Sequence, residues 1–284
     1  MSGKKALPDW RALDDLVRVA PGARVKLTDA MASGDALFPE GPLSDKGDAK
    51  DVLRADSAAI NGLQDRLFAE GSRALLVVLQ GMDTAGKDGT VRDVFNETGP
   101  LGVSVTPFGK PSAEELAHDY LWRVHKAAPG KGVIGIFNRS HYEDVLVCKV
   151  RKLTPAEDIA KRYDQINAFE KHLGENGVTV LKFMLHISKA EQKERLEARL
   201  ADPVKQWKFN PGDLEDRALW PDYMAAYETA LQRCSTKHAP WRVIPADRKW
   251  RRNALIARIV RGHLEEMDPQ PRAPGLDPKA FKIV

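Results

Sequence analysis

The chain has 284 residues, a formal net charge of +4, 43% hydrophobic residues and 30% charged residues. That suits one sizeable α/β core with extensions, and no run of about eighteen apolar residues offers a membrane span. Its start, Met1-Ser2-Gly3-Lys4-Lys5, carries no apolar signal core, and its two cysteines, Cys148 and Cys234, lack metal-ligand spacing; the expectation is a cytoplasmic protein with reduced thiols.

Residues 1–48 are rich in Gly, Pro, Asp and Ser and predict an irregular arm with at most one short helix near Trp10–Val19. Leu53, Ile60, Leu63 and Leu67 fit a helix over about Lys50–Glu70. Strand and helix signals then alternate. Ala74–Leu79 is a continuous apolar run, as a buried parallel strand requires. A helix over Lys87–Glu97, a strand over Val103–Phe108 and a helix opened by the capping box Ser112/Glu115 follow. Val133–Phe137 reads as a third strand. Thr154-Pro155-Ala156-Glu157 predicts a capped helix with Pro155 at its first position. Val178–Ile187, a helix capped by Ser188, the short strand Trp241–Ile244 and a terminal helix Lys249–Glu266 complete the pattern. Such βαβ alternation implies a parallel sheet covered on both faces. The Pro-rich residues 269–284 read as a loose tail.

The chemistry concentrates where the first strand ends. Gly81-Met-Asp-Thr-Ala-Gly86-Lys87-Asp88-Gly89-Thr90 is G-x-x-x-x-G-K between a buried strand and a helix, the context in which a P-loop forms. Glycines let backbone N–H groups converge on phosphate oxygens, and the helix N-terminus adds positive potential. Gly81, Thr84, Ala85, Gly86, Asp88, Gly89 and Thr90 are therefore candidate phosphate contacts, with Lys87 a mobile ammonium. The residue after the lysine is Asp88, not the usual Ser or Thr. A carboxylate inside an anion cradle repels its ligand unless a cation intervenes, so Asp83 is a candidate Mg²⁺ ligand; the alternative is a turn aspartate bonded to local N–H groups.

The third strand ends in Asn138-Arg139-Ser140-His141-Tyr142-Glu143-Asp144. Arg139 is placed to neutralise transferring phosphoryl oxygens, and Asn138 stands where P-loop proteins usually carry a metal-linked carboxylate. Glu143 serves either a nucleotide or a capping box with Ser140, and Asp144 is a further nucleotide candidate. Basic clusters at Arg151-Lys152, Arg195/Arg199, Lys205/Lys208 and Arg248-Lys249/Arg251-Arg252 are solvated faces or a track for a polyanion, and charge alone does not choose.

Three stretches, Gly81–Thr90, Phe137–Asp144 and Lys205-Gln-Trp-Lys-Phe209, supported by Tyr120–His125 and Asp213–Trp220, resemble the type 2 polyphosphate kinase family over about Leu53–Arg261. The Asn-Arg-Ser-His-Tyr-Glu form is similar to the subgroup that phosphorylates both nucleoside monophosphates and diphosphates, although other branches carry Asp at the Asn138 position. The resemblance implies an α/β, thymidylate-kinase-like P-loop fold (a three-layer sandwich), a mobile helical lid, Mg²⁺, inorganic polyphosphate as donor and assemblies of two or four chains. Asp83 and Lys87 match the family's essential loop pair, Arg139 its strand-end arginine, and Arg199, Lys205 and Lys208 its basic lid. The phosphotransferase domain is then expected over 49–268, with the lid at about 189–220. Arg195, four residues before Arg199, shares its helical face.

The expected reaction moves a phosphoryl group between polyphosphate and AMP/ADP or GMP/GDP. The accepting phosphate oxygen is already ionised, so no catalytic base is required. Phe108 and Lys110 lie where P-loop monophosphate kinases seat the acceptor. An ATP-dependent nucleoside monophosphate kinase is the alternative enzyme. A nucleic-acid-binding module is the non-enzyme alternative, against which stand the missing fold signature and the few aromatics among the basic residues; no nucleic-acid partner is expected.

Overall fold

The computed structural model describes residues 7–272 together with Gly275 and Ala280. In chain order it contains α1 (Trp10–Val17), α2 (Asp29–Ser33), α3 (Lys46–Glu70), β1 (Ala74–Gln80), α4 (Lys87–Val94), β2 (Val103–Pro107), α5 (Ala113–Leu116), α6 (Trp122–Ala127) and β3 (Ile134–Asn138). A 3₁₀ turn (His141–Asp144) leads to α7 (Val147–Val150), α8 (Ala156–Glu175), β4 (Val178–His186) and α9 (Lys189–Ala201). After a second 3₁₀ turn (Gln206–Lys208) come α10 (Gly212–Ala218), α11 (Trp220–Cys234), β5 (Trp241–Pro245) and α12 (Lys249–Met267).

The five strands are parallel in the order β2-β3-β1-β4-β5. The central strand β1 is buried at every position, which is why it reads as an unbroken apolar run rather than an alternation. Helices α3 and α12 pack on each other, with α1 and α4 against α12, while α8 packs on β4 and contacts α11. The result is the expected three-layer α/β sandwich. Asp56 on α3 is fully buried and pairs with Arg258 and Arg261 of α12, locking those two helices together. Among the described residues no helix is long and apolar enough to cross a membrane.

Register sets the site. Leu79 lies beside Asn138, so the chain leaves β1 and β3 side by side, at the carboxyl edge where open α/β sheets bind ligands.

Several local expectations change. Residues 7–48 carry two helices, not one at most, and bury Leu13, Val17, Leu27, Phe38 and Leu43. Buried arginines of the core hold this segment: Arg242 pairs with Asp14 through Nε and, at 3.1 Å, through Nη2, and Arg251 donates to the carbonyls of Leu43 and Ser33. Thr154 does not cap α8; Pro155 stays extended (φ −54°, ψ 144°) as the capping residue, and the helix begins at Ala156. The Ser112/Glu115 capping box and the Ser188 cap form as expected. The tail expected from residue 269 falls largely outside the described residues.

Removing one partner of a buried ion pair strands the other charge, which costs about 3–5 kcal/mol. Asp14→Ala, which strands Arg242, should lower unfolding stability by about that amount, read from the midpoint and slope of denaturant unfolding.

Candidate active site

The loop after β1 folds as an anion nest because three of its residues take left-handed or related backbone angles: Gly81 (φ 152°), Thr84 (φ 65°) and Gly86 (φ 103°). Thr84 bears the strain of a side chain in that region, and such strain collects at functional sites. Its hydroxyl is buried without a hydrogen-bond partner. Arg139, just past β3, shares the same unusual geometry (φ 64°). It is held by its N–H to the Leu79 carbonyl (3.1 Å), and its guanidinium donates to Asp83 Oδ1 (2.6 Å) and Glu143 Oε2 (3.2 Å). Burial works against its charge, but Glu143 and Asp83 outweigh it and raise the pKa.

Behind the loop the 3₁₀ turn is anchored by a fully buried network. Lys182 Nζ donates to Glu170 (2.6 Å), Tyr142 Oη (2.8 Å) and the Cys234 carbonyl (2.7 Å), and Tyr142 donates to Glu170 (2.9 Å). Ser140 Oγ accepts from the Tyr142 N–H. Glu143 turns to Arg139, so Ser140 and Glu143 form no capping box.

A cavity of about 870 Å³ opens above the loop. Nine lysine and arginine side chains line it against four aspartates, so its field favours anions. Asp83, Thr84, Gly86, Lys87, Asp88, Gly89, Phe108, Asn138, Arg139, Arg195, Arg199, Lys205 and Lys208 all reach it, from loop, strand end and α9–α10 region alike. Asn138 donates its amide to Asp88 (2.7 Å), joining the β3 end to the first turn of α4.

The structure does not bring every expected residue there. Gly81 and Ala85 form the nest but do not line the cavity. Thr90 is fully buried, its hydroxyl facing the Gly86 carbonyl and Asn253. Lys110 is exposed outside it. Asp144 is spent on Arg162 (3.3 Å) and Arg123 (3.9 Å). Glu143 lines a small neighbouring cleft with Gly81, Asp83 and Tyr227. Arg195 reaches the cavity wall, yet its guanidinium is occupied by the carbonyls of Thr84, Ala85, Ala246 and Asp247 and by Glu191; it braces the loop. Arg199 donates to the Lys208 carbonyl (3.2 Å) and Asp213 (3.4 Å), tying α9 to α10. Arg92, Trp207, Asp213, Lys249 and Arg252 line the cavity without having been singled out from sequence. For Lys249 and Arg252 the basic cluster was the available signal.

Lys87 lies beneath the cavity floor, donating to the carbonyls of Gly81 (2.7 Å) and Met82 (3.3 Å). Burial, helped by Arg139, pushes its pKa down to about 8, with Asp83, Glu143 and Asp88 opposing. The folded value lies below the unfolded 10.5, so the unfolded chain binds more protons between about pH 8 and 10.5 and stability from this group rises with pH across that window. At neutral pH the buried charge is a cost that an incoming anion relieves. Phosphate binding above about pH 8 should therefore take up protons; calorimetry in buffers of different ionisation enthalpy measures that uptake, which Lys87→Met should diminish.

The residues present fit a divalent cation. Asp83 Oδ1 is paired with Arg139, whereas no hydrogen bond reaches Oδ2 among the described residues. Across the cavity, burial and then the charge of Asp83 push the Asp213 carboxyl up to about 6. No cluster of three His, Cys, Asp or Glu occurs among the described residues. That is the pattern of Mg²⁺ sites, which combine one or two carboxylates with substrate phosphates and water.

A profile of the Polyphosphate kinase 2 family matches residues 43–272. The chain belongs to the polyphosphate kinase 2 family. Among relatives, it is 49% identical over 257 residues (89% of this chain, 95% of the other) to the AMP/ADP-polyphosphate phosphotransferase of Meiothermus ruber. It is 37% identical over 262 residues (88% and 89%) to the ADP-polyphosphate phosphotransferase of Rhodopseudomonas palustris. The crystal structure of Polyphosphate Kinase 2 from Arthrobacter aurescens TC1 superposes with a TM-score of 0.82 at 41% identity, covering 93% of this chain and 95% of that one. Family membership and the P-loop geometry together make the chain an enzyme of phosphoryl transfer, which sets aside the nucleic-acid-binding alternative.

Proposed function

We propose that the protein transfers a phosphoryl group between inorganic polyphosphate and a nucleoside monophosphate or diphosphate, AMP/ADP or GMP/GDP, with Mg²⁺. The observation that carries this reading is the cavity itself: a P-loop nest and a strand-end arginine at the floor of a space far more cationic than a single triphosphate needs. Relatives named as polyphosphate phosphotransferases support polyphosphate as the donor over ATP.

Phosphoryl transfer depends on positioning and on neutralising charge spread over the equatorial oxygens. Loop N–H groups and Lys87 hold the phosphates, and Arg139, fixed between Asp83 and Glu143, faces the transferring group. Asp83, assisted by Asp213, would hold Mg²⁺, which supplies charge neutralisation between phosphates when bound. Phe108, packed edge-on against Phe137 (centroids 4.8 Å apart), walls the acceptor side next to Asn138. Arg199, Lys205 and Lys208 serve the polymer from the α9–α10 lid. The cytoplasm as location and an assembly of two or four copies complete the reading.

The test is ATP-free turnover. Purified protein with AMP or ADP, Mg²⁺ and polyphosphate should produce ADP and ATP, and EDTA should stop it. Phosphorylation of AMP by ATP, with none by polyphosphate, would instead select the nucleoside monophosphate kinase.

A further inference from the structure

Among the described residues five arginines are buried: Arg123, Arg195, Arg242, Arg251 and Arg252. Four have carboxylate partners, namely Asp144, Glu191, Asp14 and Asp35 respectively. Arg252 has none. Its Nε donates to Asn253 Oδ1 (2.9 Å) and its Nη1 to the Ala85 carbonyl (2.6 Å). Asp93, the carboxylate whose charge reaches it, is engaged by Arg92 and Asn253. A buried cation without an anion is expensive, and burial together with Arg195 pulls its pKa down to about 9, leaving it charged at neutral pH.

The position of this unbalanced charge is informative. Arg252 lines the cavity against the first turn of α4, and Lys249, one turn earlier on α12, lines the same wall. Burial, then Arg195 and Arg252, lower the Lys249 pKa, so this wall too has positive charge in excess. Strand order sets the wall's side: α12 follows β5, whereas Phe108 follows β2 at the opposite edge of the sheet. The acceptor seat and this wall therefore flank the P-loop from opposite directions.

We propose that Lys249 and Arg252 form a subsite for the polyphosphate donor on the β5 side of the P-loop, where successive phosphates supply the anion that Arg252 lacks. This rests on the donor reading above. A polyanion suits the wall better than a nucleotide, because no exposed aromatic face accompanies the two cations there.

Two variants test it, Arg252→Met and Lys249→Ala, the second at an exposed position where folding is not at stake. Arg252→Met should raise the KM for polyphosphate about tenfold, as loss of one charge-assisted contact implies, with the KM for AMP within about twofold. Its ligand-free melting temperature should match or exceed wild type, while the rise induced by polyphosphate shrinks. Lys249→Ala should raise the polyphosphate KM in the same direction. A merely bracing Arg252 would do the reverse: a lower ligand-free melting temperature with the polyphosphate-induced rise intact, which overturns the proposal, as does an unchanged polyphosphate KM in Lys249→Ala. A wild-type protein that polyphosphate does not stabilise would defeat the donor reading itself, a distinct result.

Discussion

Lys87→Met should cut turnover about a thousandfold, the scale on which a preorganised charge at the transferring phosphate acts, while the protein stays folded. The side chain makes hydrogen bonds only to the carbonyls of Gly81 and Met82. Losing these costs about 1–3 kcal/mol in unsatisfied acceptors, but the variant also sheds a buried charge, so the two effects oppose. Methionine keeps the length and removes the ammonium. Steady-state kinetics with polyphosphate and AMP, alongside a thermal melt, separate the outcomes: a folded, inactive variant supports the assignment, and turnover within a few-fold of wild type removes Lys87 from the site.

Gly86→Ala should be nearly as damaging for a different reason. A Cβ there would stand 2.0 Å from Arg252 Nη1 and 2.7 Å from its Cζ, on a backbone at φ +103°. The backbone strain alone is worth about 1–3 kcal/mol, and moving Arg252 breaks its bond to the Ala85 carbonyl that shapes the nest. We expect at least a hundredfold loss of kcat/KM, roughly the effect of displacing oriented donors, together with a lower melting temperature. Gly62→Ala, in the exposed middle of α3 with nothing within 4 Å of the new methyl, is the control. It should stabilise by about 0.5–1 kcal/mol through helix propensity.

What the sequence made legible was local. The apolar run of β1, the glycines after it and the helix start at Lys87 are neighbours in the chain, so strand, nest and ammonium could be read together, and the β3 end could be read by the same rule. What required the fold was non-local. Arg195 and Arg199 share a helical face by spacing, yet Arg195 is drawn inward by four carbonyls from two separate loops, a demand invisible at four-residue range. Ser140 and Glu143 have the spacing of a capping box; the strained turn at Arg139 redirects Glu143 to the guanidinium. Residues 7–48 lack periodicity because much of their order comes from distant partners such as Arg242 and Arg251 rather than from a helical stripe. Arg252 was visible only as one member of a basic cluster, and its neighbour Arg251 faces the arm while it faces the loop.

Crystals grown with polyphosphate, AMP and Mg²⁺ examine the site most directly. Consecutive phosphates should lie on the N–H groups of Thr84–Lys87, with the Lys87 ammonium drawn from the Gly81 carbonyl toward them, Mg²⁺ on Asp83 and the AMP phosphate meeting the chain beside Arg139. Phosphates bound elsewhere, with Lys87 still on the Gly81 carbonyl, would contradict the account.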